Sequence, residues 1–225
     1  MIRLLATALV ALLAPSIAIG DSETPSPLNS PAAFERPTSL AELMRVMANT
    51  PGVAAEFTET KHISLLEAPL VTTGTLYFMP PDRMARYTTH PSKSALIIDG
   101  DRLVFDDEAG GDRIDLAANT IARVFVDNFI VLFNGDLAEL ERRYDPTFTI
   151  DADQWSLALV PRAAVLAKMI DSITLRGDGG GMRSMVLREA GGDSTETRFD
   201  SLDTTRRFTD SELNRLLRRA EPTPP

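Results

Sequence analysis

The stretch from Val71 to Asp107, VTTGTLYFMPPDRMARYTTHPSKSALIIDGDRLVFDD, constrains the fold of this chain more than any other. Four short runs rich in β-branched, aromatic and aliphatic residues read as strands: Val71 to Phe78, Met84 to Thr89, Ala95 to Ile98 and Arg102 to Phe105. Between them stand Pro80-Pro81-Asp82, Pro91-Ser92-Lys93 and Asp99-Gly100, residues that interrupt a strand or reverse it. The pattern predicts a meander of antiparallel hairpins. Asp99-Gly100 is its sharpest joint, because a two-residue hairpin loop needs positive φ and glycine supplies it without steric cost.

The rest of the chain can be arranged around that meander. Ser39 and Glu42 stand at capping-box spacing before Leu40, Leu43, Met44 and Met47, so a first helix is expected to end at Pro51-Gly52. Its methionine-bearing stripe suits plain core, and its pliant thioethers equally suit the wall of an adaptable pocket. Ala54 to Leu65 alternates, with Phe57, Glu59, Lys61 and Ile63 on one face, and reads as a strand pairing with the meander. Ile114 to Leu116 adds a short strand. Thr120 to Phe133 is then the most apolar segment after the N-terminal leader; Phe125, Phe129 and Phe133 recur every four residues, which predicts a helix. Asp136 with Glu139 opens a short helix to about Arg143. Thr147 to Ile150, Gln154 to Val160, Ser172 to Arg176, Arg183 to Glu189 and Thr195 to Phe199 make a second meander, with turns at Gly177 to Gly181 and Gly191-Gly192-Asp193. Thr209 and Glu212 cap a last helix that carries Leu213, Leu216 and Leu217 on one face and Arg218 and Arg219 at its end. About ten strands in order with few helices predict a mainly β, α+β domain: one strongly curved antiparallel sheet with helices on its concave side.

The two ends lie outside that domain. Arg3, the apolar run Leu4 to Leu13 and Ala18-Ile19-Gly20 have the form of a cleavable secretory signal over residues 1–20, too short for a bilayer-spanning helix. Residues 21–37 carry Pro25, Pro27, Pro31 and Pro37 among small polar residues and read as a flexible leader. A single domain is expected over 38–219 and a tail over 220–225. With no cysteine, the chain has no disulfide, no thiol nucleophile and no lipid-anchor acceptor. A net charge of −9 disfavours nucleic acid and anionic membrane surfaces as partners and suits basic partner surfaces.

Catalytic and metal patterns are missing from the sequence. His62 and His90 are the two histidines and stand in no ligand spacing, and the acidic residues Asp99, Asp101, Asp106, Asp107 and Glu108 do not follow a calcium loop, so both sets read as surface or hairpin-end groups. The glycines from 177 to 181 complete no phosphate-binding motif, and no nucleophile elbow occurs. The expectation is a protein without catalytic residues, metal or cofactor.

The helix, the strand around Phe57, then Gly74-Thr75-Leu76-Tyr77-Phe78, Pro81, Pro91, Leu96-Ile97-Ile98-Asp99-Gly100 and Leu103-Val104-Phe105 resemble the LolA-like family of periplasmic outer-membrane lipoprotein carriers. Leu132-Phe133-Asn134-Gly135-Asp136, the strand Trp155 to Pro161 and Ile173-Thr174-Leu175 follow in the family's order. The resemblance covers most of residues 38–200, and it departs from the family at Pro80, where a basic residue is common, and at the C-terminal helix. It implies an incomplete antiparallel β-barrel, a half-barrel whose helices cover an apolar cavity that shields acyl chains of a lipoprotein or other lipid between inner and outer membrane. On that reading Phe57, Leu76, Phe78 and Met84 line the cavity with Leu96, Ile98 and Phe105, while Phe125, Phe129 and Phe133 form a lid face opposite Leu76, Phe78 and Trp155. The implied partners are an inner-membrane exporter and an outer-membrane acceptor, with no nucleic acid, for a monomer. A periplasmic sensor or adaptor that binds a protein partner through the same half-barrel is the alternative.

Overall fold

A computed structural model describes residues 36–217 of the chain. The predicted signal segment, nearly all of the leader, Arg218, Arg219 and the tail lie outside the described residues. Helix α1 (Leu40–Ala48) is followed by strands β1 (Val53–His62), β2 (Leu70–Met79), β3 (Arg83–His90), β4 (Ser94–Asp99), β5 (Arg102–Asp107) and β6 (Gly110–Asp115). Helices α2 (Thr120–Asn134) and α3 (Leu137–Arg143) come next, then β7 (Tyr144–Asp151), β8 (Gln154–Pro161), the single-turn α4 (Ala164–Ala167), β9 (Ile170–Asp178), β10 (Gly181–Glu189), β11 (Ser194–Asp203) and α5 (Asp210–Leu217).

All eleven strands form one antiparallel sheet in the order β6-β5-β4-β3-β2-β1-β11-β10-β9-β8-β7, and its two ends, β6 and β7, do not pair. The chain therefore walks from β1 out to the β6 edge, must cross to the β7 edge, and walks back until β11 pairs with β1. The connection that makes the crossing is α2–α3, which places the most apolar helix across one face of the sheet. This is an incomplete barrel whose eleven strands answer to the eleven runs in the sequence, with β6 extending back to Gly110.

Local chemistry sets the joints. The β4–β5 hairpin turns through Gly100 and Asp101, with Asp99 paired to Arg102 and Gly100 at φ +58°. In the β9–β10 hairpin the turn is Gly179-Gly180, whereas Gly177 and Gly181 are paired within the strands. Ser39 caps α1 by accepting from the Glu42 N–H, and Glu42 in turn accepts from the Thr38 N–H at 2.7 Å. Asn119 caps α2 by accepting from the Ala122 N–H at 3.0 Å, and Gly135 ends it at φ +72°. A Cβ on Gly135 would lie 2.3 Å from the Ala48 nitrogen, so this glycine also lets the end of α2 touch α1.

Two apolar clusters occupy the two faces of the sheet. The inner one joins alternating strand residues such as Phe57, Leu76, Leu96 and Leu157 to the buried sides of α1 to α4. Phe125, Val126, Ile130 and Leu132 of α2 belong to it, and each contributes roughly 1.5–3 kcal/mol on burial. The outer cluster is smaller: Met79, Ala85, Ile97 and Val104 meet Leu216 and Leu217 of α5. This corrects the expectation that the helices share the concave side. The outward residues of β2 to β5 are themselves apolar, and α5 covers them. Its last carbonyls are satisfied from the sheet, where the Tyr87 hydroxyl donates to Leu216 O and Arg102 Nη2 donates to Leu217 O at 2.7 Å.

Candidate functional site

A cavity of ≈ 430 Å³ lies between the inner face of the sheet and α2, within the ~300–1,000 Å³ range of ligand pockets. Seven of the residues expected to line it do so: Phe57, Leu76, Met84 and Leu96 from β1 to β4, and Phe125, Phe129 and Phe133 from α2. The four-residue spacing of the rings on α2 is what puts them on one side of the helix. Phe129 and Phe133 contact each other with centroids 5.3 Å apart, and Phe133 reaches Phe78 at 5.7 Å. Phe125 and Phe133 are buried, whereas Phe129 is half-buried and packs at the edge of the core.

Phe78, Ile98, Phe105 and Trp155 are not in the lining. Phe78 and Ile98 are fully packed in the inner core, and Phe105 is half-buried against it. Trp155 is buried in the inner core on β8, with Nε1 donating to Gly179 O at 2.9 Å and its ring so close to β9 that a Cβ on Gly177 would approach it to 2.4 Å.

The other side of the cavity comes from residues that the sequence did not single out. Met185, Leu187 and Phe199 supply the wall from β10 and β11, and Leu166, Met169 and Ile170 close it below α4. Tyr144 also reaches it; its hydroxyl donates to Asn128 O at 2.9 Å, and burial pushes its ionisation well above the ordinary phenol range, so it is a neutral donor. Charged groups share the lining. Arg86 Nη2 stands 3.1 Å from Glu59 Oε1, and its guanidinium carbon lies 4.3 Å above the Phe57 ring. Glu189 Oε1 stands 3.0 Å from Nζ of Lys61 just behind the lining, Thr197 Oγ1 donates to Glu59 Oε2 at 3.2 Å, and Lys168 and Asp193 complete the charged part of the wall. Glu59 and Lys61 are each 7 % exposed. The alternation of β1 places both on the face of Phe57, a placement visible in the sequence, but nothing there marks that face as the inner one.

The cavity, its helix cover and the unclosed sheet agree with the family comparison. The family model described as "Outer membrane lipoprotein carrier protein LolA" matches residues 48–214. The chain belongs to the LolA family. No curated protein matches it. Among solved structures, MucB is similar at 14 % identity over 77 % of this chain with a TM-score of 0.46, and this chain spans 62 % of MucB's length. A LolA superfamily protein from Nitrosomonas europaea is similar at 10 % identity, covering 78 % of this chain and 97 % of the other, TM-score 0.43. A putative outer membrane lipoprotein-sorting protein domain from Vibrio parahaemolyticus is similar at 12 % identity, covering 78 % and 95 %, TM-score 0.43. The LolA-family half-barrel here thus carries an apolar chamber with a buried ionic wall.

Proposed function

We propose that this protein is a periplasmic carrier that holds the acyl part of a lipoprotein or another lipid in the chamber beneath α2 and moves it between the inner and outer membranes. The observation that carries this reading is the chamber itself. A dry filled core would close over Phe57, Leu76 and Phe125, yet these side chains border ≈ 430 Å³ of space covered by a helix with a half-buried phenylalanine at its edge. Apolar surface of that kind gains from receiving a chain that water would otherwise have to solvate. No helix among the described residues is long and apolar enough to cross a membrane.

Native mass spectrometry of freshly purified protein tests the proposal. The expected spectrum shows the chain, beginning at Asp21 after cleavage of the signal, together with a non-covalent lipid mass that collisional activation strips off. Repeated bare spectra, with a protein partner recovered on affinity purification, would instead favour an adaptor built on the same half-barrel.

A further inference from the structure

Along the inner face, five neighbouring strands change character in the same direction. On β1 the inward residues run Ala55, Phe57, Glu59, Lys61; on β3, Met84, Arg86, Thr88; on β10, Met185, Leu187, Glu189. The antiparallel partners β2 and β11 repeat the change in reverse chain order, Phe78, Leu76, Gly74, Thr72 and Phe199, Thr197, Thr195. Register aligns the polar ends, since Glu59 pairs with Thr197 and Thr72, and Lys61 pairs with Thr195. The chamber is therefore greasy at one end and polar at the other. Two polar atoms of the chamber wall are left over. Thr195 Oγ1 and Asn128 Oδ1 are buried side-chain atoms without a hydrogen-bond partner, and both residues line this chamber. Thr195 and Asn128 are 4 % and 3 % exposed. Arg86 and Lys61, the two buried cations, meet carboxylates at ion-pair distance, and Lys168, the other cation of the lining, is exposed. Buried polar atoms are ordinarily paired, and two unpaired ones in the wall of one chamber point to a ligand that supplies the missing partners.

We propose that the chamber selects an amphiphile with an alkyl chain and an uncharged hydroxyl- or amide-bearing head, the chain lying against Phe57, Phe125 and Leu187 and the head hydrogen-bonding Thr195, Asn128 and the Glu59–Arg86 pair. The inference rests on the carrier reading and adds head-group selection to it. A free carboxylate is disfavoured at this buried position, away from the exposed Lys168, because Arg86 is already engaged by Glu59 and a second anion would be buried beside the first.

The test compares 1-monopalmitoylglycerol with palmitate, two ligands sharing a chain length, by saturable displacement of a fluorescent lipid from the whole mature protein. Wild type is expected to bind the monoacylglycerol at least about tenfold more tightly. Glu59→Gln keeps an acceptor for Thr197 and frees Arg86, so palmitate should gain about tenfold and the preference should narrow or invert. Thr195→Val removes only the unpaired hydroxyl; monoacylglycerol affinity should fall several-fold with no loss of thermal stability, which keeps the inference testable should Glu59→Gln fold poorly. Equal binding of the two lipids by wild type, or Thr195→Val binding with unchanged affinity, overturns the head-group inference and leaves the carrier intact. Failure of both lipids to bind wild type overturns the carrier reading and the inference with it.

Discussion

Gly74 shows how one residue shapes the chamber. It sits on β2 between Phe57 of β1 and Thr88 of β3, and a Cβ there would fall 1.9 Å from the Tyr87 carbonyl oxygen and 2.9 Å from the Phe57 ring. The missing side chain leaves room for Arg86 to lie over the Phe57 ring and reach Glu59 across the intervening strand. Gly74→Ala should therefore cost about 1–3 kcal/mol, since the nearest obstacle is backbone and cannot rotate away. Denaturant unfolding measures the loss, and a variant as stable as wild type would show that the strands give way freely. At this scale the sequence was partly legible. Alternation put Phe57, Glu59 and Lys61 together, and the spacing of Phe125, Phe129 and Phe133 set them on one helix side. Arg86 gave no such signal, because its partner is 27 residues earlier, two strands away, and reachable only over a glycine.

Element by element, the apolar runs and their inner cover were found and the outer cover was not. Ala95 to Ile98 is buried at every position rather than at alternate ones, which follows from cover on both faces of β4, the inner core on one side and α5 on the other. An unbroken apolar run in a sheet with a polar outer face would have been out of place, so the second cover was implicit in LIID. The stripe Leu213, Leu216, Leu217 marked α5 as one-sided but could not say which sheet face it met. This division gives paired expectations. Leu216→Ala, on the outer face, should cost roughly 2–5 kcal/mol in unfolding free energy, the range for a buried leucine, and leave lipid uptake unchanged. Phe129→Ala, half-buried at the chamber, should weaken uptake of a fluorescent fatty acid while costing less than the ~3–5 kcal/mol of a phenylalanine taken from a closed core. Parallel unfolding and binding titrations of the two proteins check both. The opposite pattern, uptake lost with Leu216→Ala and kept with Phe129→Ala, would put the ligand on the wrong face.

For the molecule as a whole, the order of strands was beyond sequence reasoning, because two meanders can be joined in several ways and the pairing of β1 with β11 depends on residues about 140 positions apart. What the sequence did hold was the set of helix starts, and these couple the global stability to pH. Glu42, Glu139 and Glu212 stand in the first turns of α1, α3 and α5. Each carboxyl is held below its ordinary range, Glu42 mainly by the hydrogen bond from the Thr38 hydroxyl, Glu139 by that from Arg142, and Glu212 by that from the Thr209 N–H. A carboxyl with a folded pKa below its unfolded one binds fewer protons when folded, so its contribution is fully present above the unfolded value of 4.5 and is lost as the pH falls through the lower folded one. The three sites act on both faces of the sheet, α1 and α3 inside and α5 outside, so acid should loosen the packing on both faces together. The urea midpoint should hold steady from neutrality to about pH 5 and fall below it. In the triple variant Glu42→Gln, Glu139→Gln, Glu212→Gln the neutral-pH midpoint should be lower and the acid decline shallower, because the groups whose protonation drives it are gone. An acid slope identical to that of wild type would mean that the decline comes from other carboxylates and that the helix starts do not set the acid limit of the fold.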